Sequence, residues 1–206
     1  TPWEWHRPLF EYAKEVGIAL FSSPFDESAV RFLEKEINPP VYKVASFELN
    51  HFPMLKEIGI TGKPVIASRG VSTEDEVFKA IDCLMSSGCP EITLLHCVSE
   101  YPAKQEDFFL SEMPRIKEQF KTRFGLSDHS HGHLVAVTAA ALGASVIEKH
   151  IALDREEQSI DGGFSMLPDE FAEMVNSVRS TSKIIGWEGK SKEISAESAF
   201  FKRSIL

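Results

Sequence analysis

The sequence predicts an alternating α/β fold, a (β/α)8 TIM barrel of which about six βα units are present and the first two strands are missing. Three observations carry this reading. Short apolar runs begin near residues 18, 41, 64, 91, 123 and 145, separated by 22 to 32 residues, the length of a βα repeat in a parallel sheet. The runs are apolar on both faces, as strands are when helices cover one side and a barrel interior the other. Each run also exits into polar residues, the place where barrel enzymes carry their chemistry. Six units exceed what a simple open sheet requires and cannot close eight strands. A whole barrel takes about 250 residues, so two further units are expected ahead of residue 1.

The elements follow in order. Trp3 to Val16 has apolar residues at helical spacing (Trp5, Leu9, Tyr12, Ala13, Val16), and Gly17 is its stop. Ile18-Ala-Leu-Phe21 reads as the first strand, with Ser22-Ser-Pro-Phe-Asp26 as its exit and Asp26 as the cap of a helix from Glu27 to Glu36. Val41 to Ala45 is the next strand, leaving through Ser46-Phe-Glu48 into a helix from Phe52 to Ile58. Lys63 to Ala67 leaves through Ser68-Arg-Gly70 into a helix from Glu74 to Ser86. Glu91 to His96 leaves through Cys97-Val-Ser-Glu-Tyr-Pro102 toward a helix near Ser111 to Phe120. Arg123 to Leu126, a small-residue helix from Leu134 to Leu142, and Ser145 to Lys149 complete the repeats. A long amphipathic helix from Asp169 to Ile185 stops at Gly186. Trp3, Trp5 and Trp187 are assigned to packing.

Composition narrows the function. With 206 residues, 43% apolar and 26% charged, the chain has enough material for one globular domain with a sizeable core. Its net charge of −9 and lack of a Lys/Arg cluster argue against a nucleic-acid surface, while leaving room for a local positive pocket. Cys83, Cys89 and Cys97 are odd in number and lack C-x-x-C spacing, so reduced thiols of a cytoplasmic protein are expected. No run approaches the ~20 apolar residues of a membrane span, and the start Thr1-Pro-Trp-Glu-Trp is no signal peptide. A start without Met fits a chain cut from something longer.

The chemistry sits at the exits. Side chains alternate along a strand, so Ser127 and His129 share one face of theirs, and Glu148 and His150 one face of the next. If those faces meet, two imidazoles converge, able to hold a divalent metal such as Mn, Fe or Zn with positions left open. The plainer alternative is a pair of strand-end histidines bonded to nearby carboxylates or carbonyls. His131 and His133 extend the run to H-x-H-x-H, but Ser130 and Gly132 make that segment a loop, and both read as loop or helix-start residues. Lys43, inside an apolar strand, needs either an ion pair, with Glu48 or Glu148, or a role as an anion ligand or Schiff-base amine. Ser46, Ser68, Ser99 and Ser127 can surround one anion with hydroxyls, although each alone reads as a turn or cap. Alternation places Lys43, Ser68, Ser99, Ser127, His129, Glu148 and His150 inward and turns His96 outward, toward the helices. Glu48, Glu100 and Asp161 are the candidate acids for proton transfer or for gripping sugar hydroxyls.

These residues fall in recognisable runs. Phe21-Ser-Ser-Pro-Phe-Asp26, Tyr42-Lys-Val-Ala-Ser-Phe-Glu-Leu49, Leu94-Leu-His-Cys-Val-Ser-Glu-Tyr-Pro102, Gly125-Leu-Ser-Asp-His129, Ala141 to His150 and Lys202-Arg-Ser204 resemble the sialic acid synthase family. The Ala-Ser-Phe-Glu-Leu run and the opening Thr-Pro-Trp-Glu-Trp look most like its pseudaminic acid synthase branch; N-acetylneuraminate and legionaminate synthases are the alternatives within it. The resemblance implies a (β/α)8 barrel that condenses phosphoenolpyruvate with an N-acetylated amino sugar, with a divalent metal, Mn2+ or Mg2+, as cofactor. It puts His129 and His150 on the metal, and Lys43, Ser46, Ser68 and Ser127 on phosphoenolpyruvate. Glu48 and Asp161 would then meet the sugar, and Ser99 and Tyr101 would line the pocket. It further implies a synthase barrel over residues 1–190, and from 191 to 206 the start of a linker to an antifreeze-like domain that in a homodimer reaches the partner's pocket. A glutamate and a second lysine of the family's first strands are not in this sequence, so the 206 residues alone are expected to be nearly inactive.

Two departures stand out. The family has Ser-Thr-Gly-Met where this chain has Ser68-Arg-Gly-Val71, so Arg69 either adds an anion contact or points outward, and the loop Asp154 to Gly163 lacks the family's proline-rich spacing. Two rival readings remain: a metal-dependent hydrolase barrel using His129, His131 and His150, and a degenerate barrel that only binds a sugar or partner.

Overall fold

The computed structural model describes residues 1–155 and 160–186. Five parallel strands, β1 (Tyr42–Val44), β2 (Val65–Ser68), β3 (Ile92–Cys97), β4 (Arg123–Asp128) and β5 (Ile147–Lys149), lie side by side in chain order and curl into a half-barrel. The helices are α1 (His6–Glu15), α2 (Glu27–Glu36), α3 (Phe52–Ile60), α4 (Glu74–Ser86), α5 (Met113–Phe120), α6 (Leu134–Ala141) and α7 (Pro168–Ile185). A strand followed by a helix that returns to the next parallel strand gives this sequential order. Among the described residues no helix is long and apolar enough to cross a membrane. The expected stretch from 191 to 206, Lys202-Arg-Ser204 and Trp187 lie outside the described residues.

Register separates the two faces of the sheet. Lys43 pairs with Ile66, Ser68 with Leu95, Cys97 with Ser127, and Ser127 with Glu148, so these share one face. The other face carries Tyr42, Val44, Val65, Ala67, Ile92, Leu94, Phe124 and Leu126, which form one buried cluster with Met54, Leu55 and Ile58 of α3, Val77 and Leu84 of α4, and Ile116 of α5. The apolar face therefore buries against helices, and the polar face is left to the interior. On that interior face Gly125 admits no side chain, because a Cβ there would come within 2.4 Å of the Val146 carbonyl and 2.6 Å of Leu95.

Local signals set the helix ends. The Asp26 carboxylate accepts the Ala29 amide at 2.8 Å, as a capping residue does, and Thr73 and Glu76 close a capping box at the start of α4. Gly186 ends α7 in the left-handed region at φ 82°.

Two expectations need correction. Ile18 to Phe21 is not a strand: this segment runs into a single parallel bridge, Ser22 to Tyr42, with Ile18 65% exposed. A ladder needs neighbours, and here only β1 on one side offers hydrogen bonds. The N-terminal helix also starts later, as a 3-10 turn over Trp3–Trp5 followed by α1. Trp3 stacks on Phe32 with centroids 4.5 Å apart, as packing predicts, whereas Trp5 is mostly exposed.

Candidate active site

The exits of all five strands open into one cleft of about 260 Å³, whose lining includes Lys43, Ser46, Ser68, Cys97, Ser127 and Glu148 together with Tyr101, His129 and His150. The residues come together because they occupy the interior face or the first positions beyond it. Lys43 is buried, and its Nζ donates to Ser68 Oγ at 2.9 Å and to the Val44 carbonyl at 3.0 Å. Glu148 Oε2 lies 3.6 Å from the same ammonium, so of the two carboxylates expected as partners Glu148 forms the pair. Burial lowers the Lys43 pKa, and the charge of Glu148 opposes that shift.

Hydroxyls fill the gaps between these charges. Ser127 donates to Glu148 Oε1 at 2.7 Å, and Ser46 and Ser99 share a hydrogen bond of 2.8 Å. Ser99 stands behind Ser46, with its hydroxyl also 3.8 Å from Cys97 Sγ, and it lines a second cleft with Arg69 and His96 as well.

The two imidazoles meet. Their ring centroids are 5.3 Å apart, each one residue beyond the Asp128↔Lys149 register pair. The buried His129 places Nδ1 2.8 Å from the Val98 carbonyl. A carbonyl only accepts, so Nδ1 carries the proton and Nε2 presents a lone pair. Burial lowers the His129 pKa, which keeps the ring neutral and able to ligate. His150 Nδ1 lies 3.7 Å from Asp161 Oδ2, and Tyr101 covers His129 at a centroid distance of 4.2 Å. Among the described residues no group of three or more His, Cys, Asp and Glu is arranged to hold an ion. Two imidazoles, one with its tautomer set by a carbonyl, suit an ion that keeps open positions for oxygen ligands.

Glu48 holds a buried Oε2 without a hydrogen-bond partner among the described residues, and its charge acts on Lys43 and Tyr101. His131 is exposed, which removes the third imidazole of the hydrolase reading, and His133 occupies the N-cap position of α6. His96 points outward as predicted, and its Nε2 bonds the Phe108 carbonyl. Arg69 also points outward, with its guanidinium 6.0 Å from the Phe120 ring centroid, so it is not an anion contact in this cleft. Three residues went unassigned in the sequence reading. Cys97 was legible by the alternation that turned His96 outward. Ser23 lines the cleft with a buried Oγ that lacks a partner among the described residues, and the Ser22-Ser-Pro exit was its signal. Phe164, 5.0 Å from the His150 ring centroid, had no signal, because it reaches the site through a long-range bridge from Ile151 to Met166.

The cleft thus sets a buried ammonium and hydroxyls beside two imidazoles. Residues 1–190 match the model of the NeuB family. The chain belongs to that family. Within it, this NeuB-family chain is 45% identical over 190 residues to the pseudaminic acid synthase of Campylobacter jejuni, covering 92% of this chain and 55% of that one. It is 40% identical over 208 residues to the pseudaminic acid synthase of Helicobacter pylori, covering 100% of this chain and 61% of that one. The chain thus spans a little over half the length of these curated relatives. It also superimposes on the N-acetylneuraminic acid synthetase of Leptospira borgpetersenii, solved with citrate, at a TM-score of 0.89 and 33% identity, covering 97% of this chain and 69% of that one.

Proposed function

We propose that the protein carrying this chain condenses phosphoenolpyruvate with an N-acetylated amino sugar to give a nine-carbon 2-keto sugar acid and phosphate, as a pseudaminic acid synthase. The observation that carries this is the buried Lys43 ammonium, bonded to Ser68 and opening with Ser46 and Ser127 on the same cleft as His129 and His150. Relatives that bear the pseudaminic name reach 40% to 45% identity, against 37% for a legionaminic acid synthase and a human N-acetylneuraminate-9-phosphate synthase.

In this reading Lys43 and the hydroxyls of Ser46, Ser68 and Ser127 neutralise and orient the enolpyruvate phosphate. A divalent ion, Mn2+ or Mg2+, held by Nε2 of His129 and by His150, would supply polarisation of the sugar aldehyde. The π electrons of the enol then form the bond from C3 to the aldehyde carbon, and the aldehyde oxygen takes up a proton. Water bonds to C2 and gives up one proton, matching the one taken up by the aldehyde oxygen; the bond from C2 to the phosphate oxygen then breaks, the remaining hydroxyl proton passes to the departing phosphate, and the water oxygen stays as the keto group. Glu48, with its unpartnered carboxylate oxygen, and Asp161 accept sugar hydroxyls, while Tyr101 and Ser99 close the wall. Holding both substrates in one cleft replaces a bimolecular encounter by an oriented one.

The family resemblance extends this reading to a homodimer, and to a glutamate and a lysine supplied from outside these 206 residues, which alone should turn over little. The test is phosphate release by the intact protein from phosphoenolpyruvate with N-acetylmannosamine or a 6-deoxy diacetamido altrose, with and without manganese. Sugar-dependent release, larger with the altrose, is expected. No release with either sugar would sink the synthase reading, and release by the 206 residues alone would sink the claim that they are insufficient.

A further inference from the structure

Outside the cleft the molecule buries a complete ion pair. Lys149 and Asp128 are opposite each other in the register of β4 and β5, on the face turned toward the helices, with Nζ 2.8 Å from Oδ2 and side-chain exposures of 1% and 0%. The other Asp128 oxygen accepts both the Ser130 amide at 2.8 Å and the Ser130 hydroxyl at 2.7 Å, and Lys149 also donates to the Ser130 carbonyl. The three residues 128 to 130 thus form an arch tied at both ends to one ammonium. His129 is the middle of that arch, and His150 is the residue after Lys149.

Nothing in the condensation uses these charges, and stability alone is a poor reason for them. A buried ion pair is often no more stable than a well-packed apolar pair, because desolvation of both ions offsets their attraction. Apart from His96, the helix-facing positions of the neighbouring strands are apolar: Val44, Ala67, Leu94, Leu126 and Ile147. The charged exception occurs at the one register from which two imidazoles project next along the chain. What an ion pair with directional bonds adds over an apolar pair is a single geometry.

We propose that the Asp128–Lys149 pair, with Ser130, is a positioning device that sets the separation and direction of the His129 and His150 imidazoles. Asp128 and Lys149 act through the backbone they fasten. The Val98 carbonyl holds the His129 ring and the Met166 amide holds the His150 backbone, donating to its carbonyl at 2.9 Å, so the device completes a frame already present. This inference rests on the reading of His129 and His150 as ligands of a divalent ion.

The test uses the intact protein with Mn2+ alone as probe, measuring affinity by electron paramagnetic resonance and thermal unfolding in parallel. The double variant Asp128→Leu with Lys149→Met replaces the pair by apolar side chains. It should melt near the parent temperature yet bind Mn2+ about 10- to 100-fold more weakly, the range expected when groups that orient ligands are lost. Parent-like Mn2+ affinity in that variant would overturn the inference. His150→Ala separates the two claims: it should lose Mn2+ binding, and if it binds as the parent does, both the ligand reading and the inference fall. Should the double variant not fold, Ser130→Ala decides, because it removes one hydrogen bond and keeps the ion pair. A drop of roughly 2- to 10-fold in Mn2+ affinity with unchanged melting is expected, and an unchanged affinity overturns the proposal.

Discussion

Ser127 and Glu148 face each other across β4 and β5, and the serine hydroxyl donates to the carboxylate at 2.7 Å. That bond holds the carboxylate so that its second oxygen lies 3.6 Å from Lys43. The Lys43 ammonium thus has a resident anion beside it, with its pKa lowered by burial and held up by Glu148. In the proposed condensation the incoming phosphate would share that ammonium with Glu148, which sets the expected response of binding to pH and to charge removal.

Burial lowers the Lys43 pKa below the ordinary lysine value of 10.5. Only the protonated amine attracts an anion, so affinity is retained at lower pH and lost as pH rises through the lowered value. The KM for phosphoenolpyruvate should therefore rise on the alkaline side at a pH below the normal lysine range. Lys43→Met should abolish phosphoenolpyruvate binding at every pH. A KM that stays flat up to the ordinary lysine range would contradict this.

Glu148→Gln keeps the shape of the side chain and removes its charge. Because Glu148 raises the Lys43 pKa, its neutralisation should move the alkaline rise in KM to still lower pH. The same pH series on the variant measures this, and a shift in the opposite direction would show that the two groups are not coupled as the geometry requires.

Gly70 packs against the hydroxyl pair beside the cleft. A Cβ there would lie 2.2 Å from Ser99 Oγ and 2.6 Å from Ser46 Oγ, so Gly70→Ala must push the two serines apart. Ser46 is buried, but neither serine belongs to the apolar core, so the cost should appear in activity before stability. A drop in kcat/KM of about 10- to 100-fold is expected from displacement of this size, with melting shifted by less than about 4 °C. Steady-state kinetics beside a melting curve check both.

Asp26 accepts the Ala29 amide at 2.8 Å and caps α2. Asp26→Ala should lower stability by about 1 kcal/mol, read as a reduced urea midpoint with an unchanged slope.

Local chemistry was the legible part. The bounds of α2 and α4 could be read to the residue, because Asp26, Thr73 and Glu76 settle backbone hydrogen bonds within one turn of themselves. Alternation likewise placed Lys43, Ser68, Ser127 and Glu148 on one face, since the pleat imposes a period of two wherever the ladder is regular. An apolar run alone misled at Ile18 to Phe21, which has a hydrogen-bonding neighbour on one side only and forms no strand.

The sequence by itself determined the repeat of strands and helices, the interior residues of those strands, and the chemical kinds present at their exits. These follow from interactions within a few residues along the chain. Only the tertiary structure decided that Lys43 pairs with Glu148 and not Glu48, that Arg69 turns toward Phe120, that Phe164 reaches His150, and that Asp128 and Lys149 bury their charges behind the two histidines. Each of those is a meeting of residues far apart in the chain, and which distant groups meet depends on how the sheet curls and how loops fold back over it.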